Sequence, residues 1–247
     1  MFTQNAAPGI HRLEHAATNL YVVDEGGSLL LVDAGFPSSE RLLAQAVREL
    51  GRGPEDIRAL VLTHGHFDHI GSATRLRARL GIPVYAHAAD HDIAAHPYRY
   101  RHERSALLYP VRYPKSLLAF GQMAAAGAFA VPGLRDVQTL DQDALRALPG
   151  SPTLLQVPGH TAGSVALWFP QRDAVITGDA LVTLDPYTGG RGPQIVAQAA
   201  TADSETALAS LGELASTRAS ILLPGHGEPW MQGAEAAVAR ALVVSRH

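Results

Sequence analysis

Val61-Leu62-Thr63-His64-Gly65-His66-Phe67-Asp68-His69-Ile70-Gly71 decides the reading of this chain. Three histidines and one aspartate fall within six positions, directly after the apolar run Ile57–Leu62. A strand ending there sends His64 and His66 to the same side, because side chains two apart share a face. The chain must then turn, and Asp68 and His69 fall at the start of a helix predicted from the pattern of Ala73–Leu80. Four ligand-type side chains would thus converge at one strand end. Imidazole and carboxylate together suit zinc, manganese or iron. A polar turn with exposed histidines is the plainer reading, but surface histidines rarely cluster in this way.

Upstream, Ile10–His15, Thr18–Asp24 and Ser28–Val32 read as short strands, with Glu25-Gly26-Gly27 turning between the last two. Asp33-Ala34-Gly35 closes the third strand. Ser38 or Ser39 caps a helix running to about Leu50, where Gly51 and Gly53 stop it. Strand Ile57–Thr63 delivers the histidine motif, helix Ile70–Leu80 ends at Gly81, and Pro83–Ala86 is another strand. Further on, strands are expected at Thr153–Val157, Ser164–Phe169, Ala174–Thr177 and Ser220–Leu223, and helices at Ser204–Ala215 and Ala234–Val244. Strands and helices alternate in two halves of similar layout, which predicts two sheets back to back with helices outside. One domain spanning residues 1–247 accommodates this pattern.

The 247 residues are 47% hydrophobic, enough for a sizeable core, and the formal net charge of -3 provides no global field to recruit nucleic acid. The absence of cysteine excludes thiolate ligands, disulfides and a cysteine nucleophile. Lys115 is the only lysine, which excludes Schiff-base or Walker-type chemistry needing one elsewhere. Met1–Gly9 has neither a basic nor an apolar signal region, so a cytoplasmic protein without a secretory signal is expected.

From His87 the character changes. His96–Lys115 carries Arg99, Arg101, Arg104, Arg112 and Lys115 against Glu103 alone, interleaved with Tyr98, Tyr100, Tyr109 and Tyr113. Ser116–Leu134 then runs 19 residues without a charge. It is dominated by alanine and glycine and holds Gln122 and Pro132, so a capping helix is expected rather than a membrane span. Residues 87–135 therefore read as an inserted helical segment lying over the site. Its arginines and tyrosines could clamp an anionic or polar head, and Leu117, Phe120, Met123, Phe129 and Val131 could line an acyl pocket. A homodimer interface through the same segment is the alternative, being equally rich in aromatic residues and arginine.

Three later stretches resemble one another. Pro158-Gly159-His160-Thr161, Gly178-Asp179 and Pro224-Gly225-His226-Gly227 each place one ligand-type residue beside glycine just past an apolar run. Taken singly, each could be an ordinary turn. With the first motif they make His64, His66, Asp68, His69, His160, Asp179 and His226 the candidate metal ligands. His11, His15, His87, His91, His96, His102 and His247 have no such context and are expected to be surface or core residues.

These stretches resemble the metallo-β-lactamase superfamily, whose signature is His-x-His-x-Asp-His followed by a His, an Asp and a last His. The likeness runs from Leu31-Val32-Asp33-Ala34-Gly35 to Pro224–Gly227, apart from residues 87–135. It implies an αββα sandwich with a two-metal site at its edge. His64, His66 and His160 would hold one ion and Asp68, His69 and His226 the other, with Asp179 between them. Asp33 matches a position that supports the ligands from behind.

Within that superfamily, β-lactamases carry Cys or Ser where this chain has Asp179, which argues against antibiotic hydrolysis. Glyoxalase II enzymes share the aspartate but add a helical glutathione-binding domain, which is not expected in the 21 residues after His226. Nucleases and flavodiiron reductases of the superfamily add arms or domains of which no sign is seen. Compact lactonases and esterases are nearest in layout. The expected activity is two-zinc hydrolysis of a carboxylic ester, lactone or thioester by a hydroxide bridging the ions, with Mn or Fe as other metals. Asp68 would orient the nucleophile and pass a proton to the leaving group. Tyr187, eight residues after Asp179, is a candidate to assist, though packing alone would also explain it. The competing activities are a mononuclear iron sulfur dioxygenase, for which the second set of ligands would be superfluous, and phosphodiester or β-lactam hydrolysis. A non-catalytic binding protein on the same scaffold is disfavoured by the complete ligand set. The expected partner is a small-molecule substrate.

Overall fold

The computed structural model describes residues 1–245. Four antiparallel strands open the chain: β1 (Phe2–Ala7), β2 (Ile10–His15), β3 (Thr18–Glu25) and β4 (Ser28–Val32). Helix α1 (Ser39–Glu49) crosses over to β5 (Ile57–Val61), which lies parallel to β4. Helices α2 (Phe67–Ile70) and α3 (Ala73–Leu80) lead to β6 (Val84–Ala86). Residues 87–135 contain α4 (His91–Ala95), α5 (Tyr109–Arg112) and α6 (Ser116–Ala125). Strand β7 (Gln138–Thr139) then completes a seven-stranded sheet in sequence order. After α7 (Gln142–Arg146) come β8 (Thr153–Gln156), β9 (Val165–Phe169), β10 (Ala174–Gly178) and the hairpin β11 (Val182–Leu184) and β12 (Arg191–Gln194). Helix α8 (Ser204–Ser216), β13 (Ile221–Pro224) and α9 (Ala234–Val244) close the fold. The second sheet has the order β13-β10-β9-β8, with β13 parallel to β10.

Why these runs become central strands is visible in β4. Its apolar residues are buried on both faces, so the sequence is continuous leucine and valine rather than alternating. Leu30 and Val32 face Ile176, Leu167 and Phe169 of the other sheet, whereas Leu29 and Leu31 pack outward with Leu43 and Val47 of α1 and Leu76 of α3. The second sheet repeats the arrangement. Ile176 points between the sheets, and Val175 and Leu222 pack outward against Leu211 and Leu214 of α8 and Ala237 and Ala241 of α9. Three apolar layers alternate with two sheets, which is the αββα sandwich expected from the sequence.

Departures from the expected elements have local causes. The strand before the motif stops at Val61, so His64 and His66 lie in the turn beyond it. The helix expected over Ile70–Leu80 divides at Gly71-Ser72, where the Gly71 N–H donates to Gly35 O at 2.7 Å. Strand β1 and the β11–β12 hairpin were not expected. The uncharged run forms the 10-residue α6 and then turns, and no helix among the described residues is long and apolar enough to cross a membrane. Leu117 and Phe129, expected in an acyl pocket, are 55% and 85% exposed, and Val131 packs in the outer core instead.

Gly71 supplies a test of this packing. A Cβ there would lie 2.5 Å from Gly35 O and 2.7 Å from Phe36 Cα, both backbone atoms that cannot swing away. Gly212 is its control, an exposed position within α8 with open space around it. We expect Gly71→Ala to destabilise by about 1–3 kcal/mol through overpacking, and Gly212→Ala to stabilise by about 0.5–1 kcal/mol through helix propensity. Chemical denaturation of the two variants measures this, and equal midpoints would contradict it.

Candidate metal centre

The ligand-type residues gather where strands end. Asp33 follows β4, His64 and His66 follow β5, and Asp68 and His69 sit in the first turn of α2 with His66 at its N-cap. His160 follows β8, Asp179 follows β10 and His226 follows β13. All seven candidate ligands are buried, none more than 7% exposed.

Their atoms form three overlapping groups, each within 4.8 Å: His64, His66 and His160; His64, His69 and Asp179; and Asp68, His69 and His226. Asp179 is central. Its carboxylate lies 3.1 Å from His226 Nε2, 3.4 Å from His69 Nε2, 3.5 Å from His160 Nε2 and 4.0 Å from His64 Nε2. Asp68 Oδ2 is 3.3 Å from His226 Nε2. His66 Nδ1 and His160 Nε2 approach to 2.9 Å. Gly225 must be glycine here, since a Cβ would collide with Asp179 Oδ1.

Hydrogen bonds behind the cluster orient the rings. His69 Nδ1 donates to Asp33 Oδ2 at 2.8 Å, and His226 Nδ1 donates to Ala17 O at 2.7 Å, so each turns Nε2 inward. Thr63 Oγ1 gives its proton to Asp33 Oδ2 at 2.8 Å and is left to accept from His64 Nδ1 at 3.1 Å. The Thr63 N–H donates to Asp33 Oδ1 at 2.8 Å. Asp33 itself has φ 62°, a left-handed backbone that aspartate tolerates better than most residues.

Charge within the cluster is uneven. Burial holds His64 and His66 well below the ordinary histidine value and His160 at about 4. Burial opposes charge on His69 as well, but Asp179, Asp33 and Asp68 outweigh it and raise its pKa well above normal. His226 is likewise raised to about 10, Asp179 and Asp68 overcoming burial. The carboxylates respond in kind: against burial, His226 and His69 hold Asp179 well below the usual carboxylate range. The site therefore demands positive charge, which imidazolium protons or a divalent cation can supply.

Six buried side-chain N and O atoms lack a hydrogen-bond partner among the described residues. Five are His64 Nε2, His66 Nε2, His69 Nε2, His160 Nδ1 and Asp179 Oδ1, and the sixth is Thr18 Oγ1. An unpartnered buried polar atom costs about 1–3 kcal/mol. Concentration of such atoms in one cluster fits a group of donors built for a cation.

Asp90, which was not singled out from the sequence, joins two of the ligand loops. Fully buried, it accepts from Gly65 N at 2.9 Å, Thr161 Oγ1 at 2.7 Å and Gly163 N at 2.8 Å. Arg12, also buried, pairs with Glu228 at 2.6 Å and donates to Asn19 Oδ1, and Asn19 Nδ2 holds the carbonyls of Pro224 and Gly227 around His226. Tyr100 lays its ring on His66, centroids 4.1 Å apart, and Tyr98 stacks on Phe67 at 5.8 Å. Tyr187 meets Phe120 edge-on at 5.4 Å, and Met123 is buried with Phe36 and Ala17. His11 accepts from Asn5 N, His15 contacts Ser39, His91 contacts the carbonyl of Ala86, and His96 contacts Asp92, all outside the cluster. His87 receives the Ala89 N–H, and His102 packs against Tyr100. His247 lies outside the described residues.

Replacing the groups behind the cluster should loosen it without removing a ligand. Asp33→Asn keeps the left-handed backbone but loses the charge facing His69, and Asp90→Ala frees the Gly65 and Thr161 loops. Each should weaken zinc binding by about 10–100-fold, the usual cost of losing an orienting partner. Competition with a chromogenic chelator reads this, and wild-type affinity in both variants would contradict the supporting role.

Residues 15–226 match the family described as Metallo-beta-lactamase superfamily. Probable metallo-hydrolase YflN of Bacillus subtilis is 30% identical over 239 residues, covering 91% of this chain and 86% of that protein. The structure of TTHA1623 in a di-iron-bound form is 30% identical with a TM-score of 0.60, covering 91% of this chain and 95% of that one. The family protein TTHA1429 from Thermus thermophilus, 20% identical, shares the fold with a TM-score of 0.63, covering 96% of this chain and 79% of that one. With its buried histidine–aspartate cluster set at the strand ends of an αββα sandwich, the chain belongs to the metallo-β-lactamase superfamily.

Proposed function

We propose that this chain is a two-metal hydrolase that cleaves a carboxylic ester, lactone or thioester. The observation that carries the reading is the buried set of seven ligand-type residues, among which His64 Nε2, His69 Nε2 and Asp179 Oδ1 face one another without hydrogen-bond partners. His64, His66 and His160 would hold one ion, Asp68, His69 and His226 the other, and Asp179, in reach of four histidines, would serve both. Zinc suits this donor set of imidazole and carboxylate, and iron does too, as the di-iron-bound form of the relative supports. Such ions supply Lewis acidity and lower the pKa of water toward 7.

The chain's own groups do the rest. Asp68 turns Oδ2 toward His226 and keeps its second oxygen to take a proton from the nucleophile and return it to the leaving group. Asp33 and the Ala17 carbonyl hold His69 and His226 in the tautomer that presents Nε2. Residues 87–135 act as a cover, with Tyr100 over His66 and Phe120 and Met123 beside Tyr187 and Phe36. Burial, Tyr100 and the nearby Asp68 charge raise the Tyr187 phenol well above its ordinary pKa, so it would meet a substrate as a neutral hydroxyl.

The test is a panel of lactones, thioesters, aryl esters, phosphodiesters and β-lactams offered to the zinc-loaded protein before and after chelation. Turnover confined to the first three, lost on chelation and restored by zinc, is expected. Turnover of phosphodiesters alone would replace the reading. On whichever acyl substrate is turned over, Asp68→Asn should lower kcat by at least ~100-fold, the scale of general acid–base catalysis. Near wild-type kcat at full metal content would remove Asp68 from proton transfer.

A further inference from the structure

Beside the cluster lies a cavity of about 460 Å³ whose wall includes His160 and Tyr100. Tyr100 is the residue whose ring lies against His66, so whatever fills the cavity adjoins the His64, His66 and His160 side of the centre. Arg99 and Arg101, on either side of Tyr100, line the same cavity. Among the described residues neither guanidinium is ion-paired or hydrogen-bonded through its side chain. Two carboxylates also reach this wall, and both are engaged locally. Asp203 accepts the Thr206 N–H at 2.9 Å as the cap of α8, a bond that with the weaker pull of the Arg101 charge holds its carboxyl below the usual value, and Asp92 contacts His96 Nδ1 at 3.2 Å. Glu103, two residues past Arg101, is also engaged, accepting from Ser204 N and Oγ at 2.7 Å.

Two exposed arginine forks without a hydrogen-bonded acceptor in one cavity wall match a carboxylate or phosphate, to which each can give two parallel hydrogen bonds. We propose that Arg99 and Arg101 form an anion subsite, so that the substrate carries a carboxylate or phosphate group on the side of its scissile carbonyl nearest His160. The inference rests on the hydrolase reading above and narrows its substrate to anionic acyl compounds. Tyr100 is the positioning residue, its ring on His66 fixing the distance between the subsite and the centre.

Matched p-nitrophenyl esters of equal acyl length test this: the glutarate monoester, its analogue ending in phosphonate, and the neutral pentanoate. The zinc-loaded protein should prefer one anionic ester over the neutral one by at least about 10-fold in kcat/KM, the scale of a charge-assisted hydrogen bond. The preferred anion tells carboxylate from phosphate. In Arg99→Ala/Arg101→Ala that preference should fall to about 1, the loss appearing as a higher KM for the anionic ester. Lysine at both positions should restore part of it, because charge returns without the fork. Equal kcat/KM for all three esters in the wild type, or a preference that survives in the double variant, would overturn the subsite. Should none of the three esters be turned over, the hydrolase reading is decided separately by the lactones and thioesters of the wider panel. The subsite is then read by calorimetry with glutaric acid monoanilide, which has no ester to cleave. Binding about 10-fold tighter to zinc-loaded wild type than to the double variant supports it, and equal affinity overturns it.

Discussion

Everything at this site follows from the need to bury charge. Four histidines reach Asp179 within 4.0 Å, and the whole set is at most 7% exposed. An unpaired carboxylate in such a place is strongly disfavoured. The fold meets the constraint from two sides. Behind the cluster, each outward ring nitrogen of His64, His69 and His226 has a designated acceptor in Thr63, Asp33 or Ala17. Within it, His64 Nε2, His69 Nε2 and Asp179 Oδ1 are left without hydrogen-bond partners among the described residues, a condition that a cation relieves.

The sandwich exists to deliver those groups to one edge. Strands β4, β5, β8, β10 and β13 all end there, and each ending contributes a residue. Because apolar layers pack both faces of both sheets, a one-residue slip would swap every leucine and valine from the layer it fits to the opposite one. The register that packs the core therefore also sets the site. Asp90 and the Arg12–Asn19 pair extend the same rigidity into the loops, tying Gly65 to Thr161 and enclosing His226.

What could be read from the sequence was whatever is local. His64, His66, Asp68 and His69 announce themselves in six positions, and His160, Asp179 and His226 repeat one pattern of apolar run, glycine and ligand. The strands that are buried on both faces were equally plain, as unbroken leucine and valine. Asp90 was not legible, because it sits in a stretch of histidines and aspartates that resembles ordinary surface. Only the tertiary contact with Gly65, 25 residues earlier, gives it a role. Strand β1, Phe-Thr-Gln-Asn-Ala-Ala, lacks alternation and owes its form to pairing with β2. In residues 87–135 composition showed apolar content but not its direction. Met123 turns inward while Leu117 and Phe129 face solvent, and short helices joined by turns carry no periodicity long enough to distinguish them.

The central claim is that the buried cluster is a two-cation centre, and the most direct measurement is the stoichiometry of zinc bound to the purified chain. Zinc titrated into the chelator-treated, dialysed protein, with content read by elemental analysis, should saturate at two ions per chain. Asp179→Ala should lower both, and His69→Ala should empty mainly one. Saturation at a single ion, or at none, would contradict the account.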